Sequence, residues 1–184
     1  MKIGLVPMSA KPYHAGHHYL IELASKSSDK VIVFASTSDR RRPGEYPVTG
    51  EAMEKIWVKE IIPNLPSNVD VVFGGSPVRK VYEMIGDSCE SGDLETRYSV
   101  YSDLVDTKEN YSSENRVKYM NPMWSAGQVD FPAEKLPEAF IRGAGAPDIR
   151  AEDVRLHLQN NDFISFSECM PSIVNSYACW QYLK

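Results

Sequence analysis

The stretch KIGLVPMSAKPYHAGHHYLIEL, residues 2–23, decides how the rest of the chain is read. Lys2 to Pro7 is a short apolar run suited to a strand. A polar loop with Lys11 and Pro12 follows. Tyr19, Leu20, Leu23 and Ala24 then recur at helical spacing, which predicts a helix ending near Ser28. Strand, loop and helix in this order begin a parallel α/β unit. Three of the chain's four histidines, His14, His17 and His18, fall where that helix starts.

Ligands of parallel sheets bind beyond the carboxyl ends of the strands, so the loop after the first strand is the first place to look for chemistry. The first turn of a helix offers free N–H groups and the positive end of a dipole, both of which favour phosphate. His14 and His17, three apart, share one face and can address one triphosphate. Gly16 lets a phosphate or base approach the backbone. His18 lies about 100° further round the helix and reads as packing or surface. The competing readings of the pair are ordinary polar residues at a helix start, or a zinc site. Zinc is disfavoured because no third ligand stands at suitable spacing.

Outward from this unit, KVIVFAST (30–37) is a continuous β-branched and aromatic run of the kind buried on both faces of a parallel sheet. The polar loop 36–47 leads to Thr49, a candidate cap. Beyond it Glu51, Met53, Ile56, Trp57 and Ile61 follow at near-helical spacing until Pro63 stops the run, with Trp57 on the apolar face. VDVVFGG (69–75) predicts a third strand, SPVRKVYEMIG a helix ending at Gly86, and YSVYSD (98–103) a fourth strand. EAFIRGAG (138–145) is read as a fifth, short strand. Residues 105–136 are polar and contain two prolines, which predicts a long loop, a lid or an acceptor-binding insertion. Helical character returns over 151–160 and from Met170 to the end. The expected fold is α/β, a Rossmann-like parallel sheet of about five strands flanked by helices, in one domain of 184 residues.

Composition narrows the function. Hydrophobic residues at 42% supply a core, and a net charge of −5 argues against a nucleic-acid binder. No run reaches the roughly 18 apolar residues of a membrane span. The three cysteines, Cys89, Cys169 and Cys179, are widely spaced and suit the reduced state of a cytoplasmic protein. Self-association is left open.

KPYHAGH resembles the His-x-Gly-His signature of the nucleotidyltransferase superfamily, and Pro12–Tyr13 matches the Pro-aromatic pair that often precedes it. YPVTGEAMEKIWV (46–58) is similar to the Pro-Phe-Thr-x-x-Glu-Arg segment of archaeal-type nicotinamide-mononucleotide adenylyltransferases. DIRAEDVRLHL, from residue 148, resembles their late Ile-Ser-x-Thr-x-Ile-Arg motif. There Ile149, Val154 and Arg155 keep the pattern, while Arg150 and Glu152 stand at the family's hydroxyl positions. Met8–Ser9 replace a frequent Gly-Arg pair.

The resemblance implies transfer of a nucleoside monophosphate, adenylyl from ATP before cytidylyl from CTP, to a small phosphorylated acceptor. Nicotinamide mononucleotide leads among the acceptors, and Mg2+ is carried on the nucleotide phosphates rather than on a dedicated protein site. His14 and His17 are then the catalytic pair, with Lys11, Gly16, Arg150 and Arg155 binding the nucleotide. Arg40 (or its neighbours Arg41 and Arg42), Asp103 and Trp124 are candidates for the acceptor, and Asp106 for a ribose or magnesium. The glycine-rich GAGAP (143–147) is expected to turn beside the base. The rival readings are a cytidylyltransferase acting on an alcohol or sugar phosphate, and a nucleotide-binding regulator without turnover.

Overall fold

The computed structural model describes residues 1–125, 127–135 and 147–184. The alternation read from the sequence produces five parallel strands: β1 (Lys2–Met8), β2 (Lys30–Ala35), β3 (Val69–Phe73), β4 (Arg97–Val100) and β5 (Val129–Asp130). They lie in the order β3-β2-β1-β4-β5, so the chain reverses direction across the sheet between β1 and β4. Leu5 pairs with Ile32 on one side and Val100 on the other, and Val6 pairs with Val33.

Successive strand side chains point to opposite faces, and both faces are covered. Val6, Val31, Val33 and Ala35 pack with Ile21 and Ala24 of α1 (Ala15–Ser27). The same layer holds Met53 of α2 (Gly50–Ile56) and the carboxyl-terminal helices, α7 (Ala151–Gln159), α8 (Phe163–Glu168) and α9 (Ser176–Leu183). Leu5, Ile32, Phe34 and Val100 pack on the other face against Val81 and Ile85 of α3 (Pro77–Glu90). Trp57, fully buried, joins the first layer and sets its edge against Tyr13 at 4.9 Å between ring centres. Thr49 caps α2 by accepting the Ala52 N–H at 3.1 Å.

Two predicted helix boundaries are corrected. The helix expected to end at Gly86 runs to Glu90, because Val81, Tyr82 and Ile85 anchor it to the core and outweigh one glycine. Its chain reversal comes later, at Gly92, whose φ is +74°. The helix expected from Met170 to the end is interrupted. Residues 169–175 contain Pro171, and Asn175 begins α9 by accepting the Ala178 N–H at 3.0 Å.

The stretch read as a long loop holds α4 (Leu104–Asn110), α5 (Ser113–Ser125), β5 and α6 (Pro132–Lys135). Tyr111, Met120 and Phe131 drive them into the second core layer. Buried Arg116 covers the Phe131 ring at 3.8 Å and pairs with Glu134. The fifth strand therefore lies in this stretch. The strand expected over 138–145 and most of GAGAP fall outside the described residues. No helix of the described residues is long and apolar enough to cross a membrane.

Candidate active site

The loops leaving β1 and β4 part at the reversal of strand order, where open α/β sheets bind ligands. A cavity of about 390 Å³ opens there. His14, Gly16, His17 and Lys11 line it from the β1–α1 junction, and Arg40 from the loop after β2. Asp103 and Asp106 enter from the start of α4, and Arg150 and Arg155 from the start of α7. Trp124 lies on α5, and its side chain is outside the described residues.

His14 is the N-cap of α1 rather than a member of its first turn. Its Nδ1 accepts the Gly16 N–H at 3.0 Å, and His17 Nδ1 accepts the His14 N–H at 3.1 Å. Each Nδ1 is thereby an acceptor, which assigns the proton of each neutral ring to Nε2. Burial, with His14 and Lys11 nearby, holds the His17 pKa well below the usual imidazole range, so this ring is a neutral donor near pH 7. The two ring centres are 3.8 Å apart. A Cβ on Gly16 would stand 2.8 Å from His14 Cε1 and 3.0 Å from its Nδ1, so glycine here first makes room for the capping ring.

Tyr13 stacks on His17 at 5.6 Å, with 20° between the planes. Its hydroxyl donates to Nδ1 of buried His18 at 2.7 Å, and His18 Nε2 meets the Glu22 carboxylate at 2.7 Å. His18 thus supports the stack and does not line the cavity.

Lys11 is buried, and its ammonium donates to the carbonyls of Ser9 at 2.9 Å and Ser36 at 2.8 Å. Burial lowers its pKa from 10.5 to about 8, with Asp39 acting the other way. A phosphate ligand recruited by its charge should bind less tightly as pH rises beyond about 8, by at most about tenfold per pH unit for one proton. Lys11→Met should remove that slope, as calorimetric titration from pH 7 to pH 9.5 measures. The stability sign is separate: between about 8 and 10.5 the unfolded chain holds a proton that the folded one lacks, so Lys11 makes stability rise with pH there.

Arg155 is buried and donates from Nη1 to the Lys11 carbonyl at 2.6 Å. Arg40 forms a two-pronged pair with Glu45, Nε to Oε2 at 2.8 Å and Nη2 to Oε1 at 3.0 Å. Glu45 also lies 3.6 Å from Arg155 Nε. Sequence reasoning missed Glu45, because a glutamate in a polar loop carries no signal until the fold sets it beside Arg155. Arg150, exposed, opens α7 without capping it. Glu152 is exposed and does not line the cavity, so its carboxylate does not oppose a phosphate there. Asp103 caps α4 by accepting the Asp106 N–H at 2.7 Å, a structural task beside any ligand contact.

The sequence profile of the citrate lyase ligase C-terminal domain matches residues 3–46, which span β1, α1, β2 and the loop carrying Arg40 and Glu45. No curated protein matches the chain. Among solved structures, a protein assigned as a nicotinate-nucleotide adenylyltransferase from Vibrio parahaemolyticus is similar over 100% of this chain and 99% of its own. The TM-score is 0.56 at 16% identity. A bifunctional NMN adenylyltransferase/ADP ribose pyrophosphatase from Francisella tularensis is similar over 99% of this chain, with a TM-score of 0.52 at 11% identity. The chain spans 48% of that protein. At these identities the likeness establishes the fold.

Proposed function

We propose that this cavity transfers a nucleotidyl group, adenylyl from ATP in the leading reading, to a small phosphorylated acceptor, with nicotinamide mononucleotide the first candidate. An acceptor phosphate oxygen attacks the α-phosphorus, the bond to the bridging oxygen of the β-phosphate breaks, and pyrophosphate leaves with the electron pair. Most of the catalysis is positioning and charge stabilisation. His14 and His17 present Nε2–H donors to the α-phosphoryl oxygens, while Lys11, Arg150 and Arg155 hold the chain that departs.

The observation that carries this reading is the pair of histidines whose Nδ1 atoms are both occupied by backbone N–H groups, at the edge of a cavity with four cationic side chains. The likeness in fold to two nicotinate- or NMN-adenylyltransferases supports the choice of ATP and of a pyridine nucleotide. Asp103 and Asp106 are the only described carboxylates on the cavity wall. Two carboxylates suit Mg2+ carried on nucleotide phosphates better than a protein cage, and bound there the ion neutralises charge on the leaving group.

A screen of ATP and CTP against nicotinamide mononucleotide, nicotinate mononucleotide, and alcohol and sugar phosphates, read as pyrophosphate release, tests the proposal. Release with ATP and a pyridine nucleotide is expected. Release only with CTP would reassign the base, and silence in every pair would defeat the enzymatic reading.

A further inference from the structure

Arg155 is 6% exposed, and its Nε, facing Glu45, makes no hydrogen bond. Its neighbours Arg40 and Arg42 add to the positive charge there. A buried cation needs compensation, and removing the carboxylate beside it is costly. Glu45 supplies that compensation from outside the cavity: it does not line the wall, yet it touches Arg40 and Arg155, which do. Glu152 acts on Arg155 in the same direction, but less than Glu45. Paired with Arg40, Glu45 stays ionised well into the acid range.

Resting on the reading of the cavity as a phosphate site, we propose that Glu45 is the internal counter-ion of that site and determines which anions it admits. While the cavity is empty, the carboxylate balances the two arginines. An arriving anion finds a charge already partly neutralised, so it gains only what it adds beyond Glu45. A single phosphate gains little. A di- or triphosphate gains more, because it also reaches Lys11 and Arg150 on the same wall. Glu45 thereby weakens all anions and selects those with a long phosphate chain.

The signature is a pair of effects with opposite sign. Glu45→Gln keeps a hydrogen-bond acceptor and removes the charge. Without ligand its melting midpoint should fall, by about 3 °C. In calorimetric titration of the full chain at pH 7.5, pyrophosphate should bind about tenfold tighter than to the wild type. Orthophosphate should gain by a larger factor, so the preference for pyrophosphate narrows. A purely structural role would lower stability and affinity together.

Unchanged or weaker pyrophosphate binding in Glu45→Gln, with the wild type binding normally, overturns the counter-ion role and leaves the phosphate site standing. If neither protein binds pyrophosphate, the phosphate site itself fails, and the counter-ion with it. Should Glu45→Gln not fold, Glu45→Asp withdraws the carboxylate by one methylene. It should bind pyrophosphate tighter than the wild type by a smaller factor, and an affinity no better than wild type rejects the proposal.

Discussion

Replacing His14 and His17 together by alanine should lower turnover of the productive nucleotide–acceptor pair by about 10³- to 10⁴-fold. A donor aimed at developing negative charge is worth about 10²–10³ in rate. The two losses should fall short of their product, because the two rings pack 3.8 Å apart and either replacement disturbs the other ring. Folding should survive, since losing an N-cap costs about 1 kcal/mol. Retained secondary structure and a melting midpoint within a few degrees of wild type check this. His17 acts as a neutral donor, so the rate should show no acid limb near pH 6.5 from its ring. Turnover by the double variant at the wild-type rate would remove both histidines from the mechanism.

Among the described glycines, Gly50→Ala should be the most destabilising substitution. Gly50 is the first residue of α2, and its N–H donates to Asp39 Oδ1 at 2.8 Å. A Cβ there would land on the carbonyl oxygen of Thr37 and 2.5 Å from its carbonyl carbon. Those are backbone atoms, so no rotamer change relieves the clash. Overpacking of this kind costs about 3 kcal/mol. For a domain of this size that lowers the melting midpoint by about 6–12 °C. Displacing Thr37 and Asp39 also moves the loop that carries Arg40 and Glu45, so affinity for the proposed nucleotide should fall in the same variant. A midpoint within about 2 °C of wild type would show that the loop yields freely.

The amino-terminal half of the site was legible because its signals are local. Strand, loop and capped helix follow one another within the first 27 residues, and the two histidines stand three apart at the start of α1. Arg155 was found through its motif position, and it lines the cavity. Glu45 was not legible, since its partners stand five residues away and across the fold. Residues 104–135 misled for a related reason. Tyr111, Met120 and Phe131 are too sparse to mark an apolar stripe, and what orders them comes from elsewhere, as when Tyr82 of α3 donates to the Asn110 carbonyl at 2.7 Å. Gly86 misled in the opposite direction, a strong local signal overruled by packing on both sides of it.

The bond from Arg155 to the Lys11 carbonyl has a consequence for how the protein comes into being. It joins residues 144 positions apart, and the cavity takes walls from both. A chain emerging from the ribosome therefore completes β1, α1 and the histidine pair early, yet the pocket lacks the wall that carries Arg150 and Arg155 until α7 emerges. Nucleotide affinity should consequently switch on late and abruptly with chain length. A fragment ending before residue 150 should retain the motif and lose nucleotide affinity, as titration of such a fragment against the full chain measures.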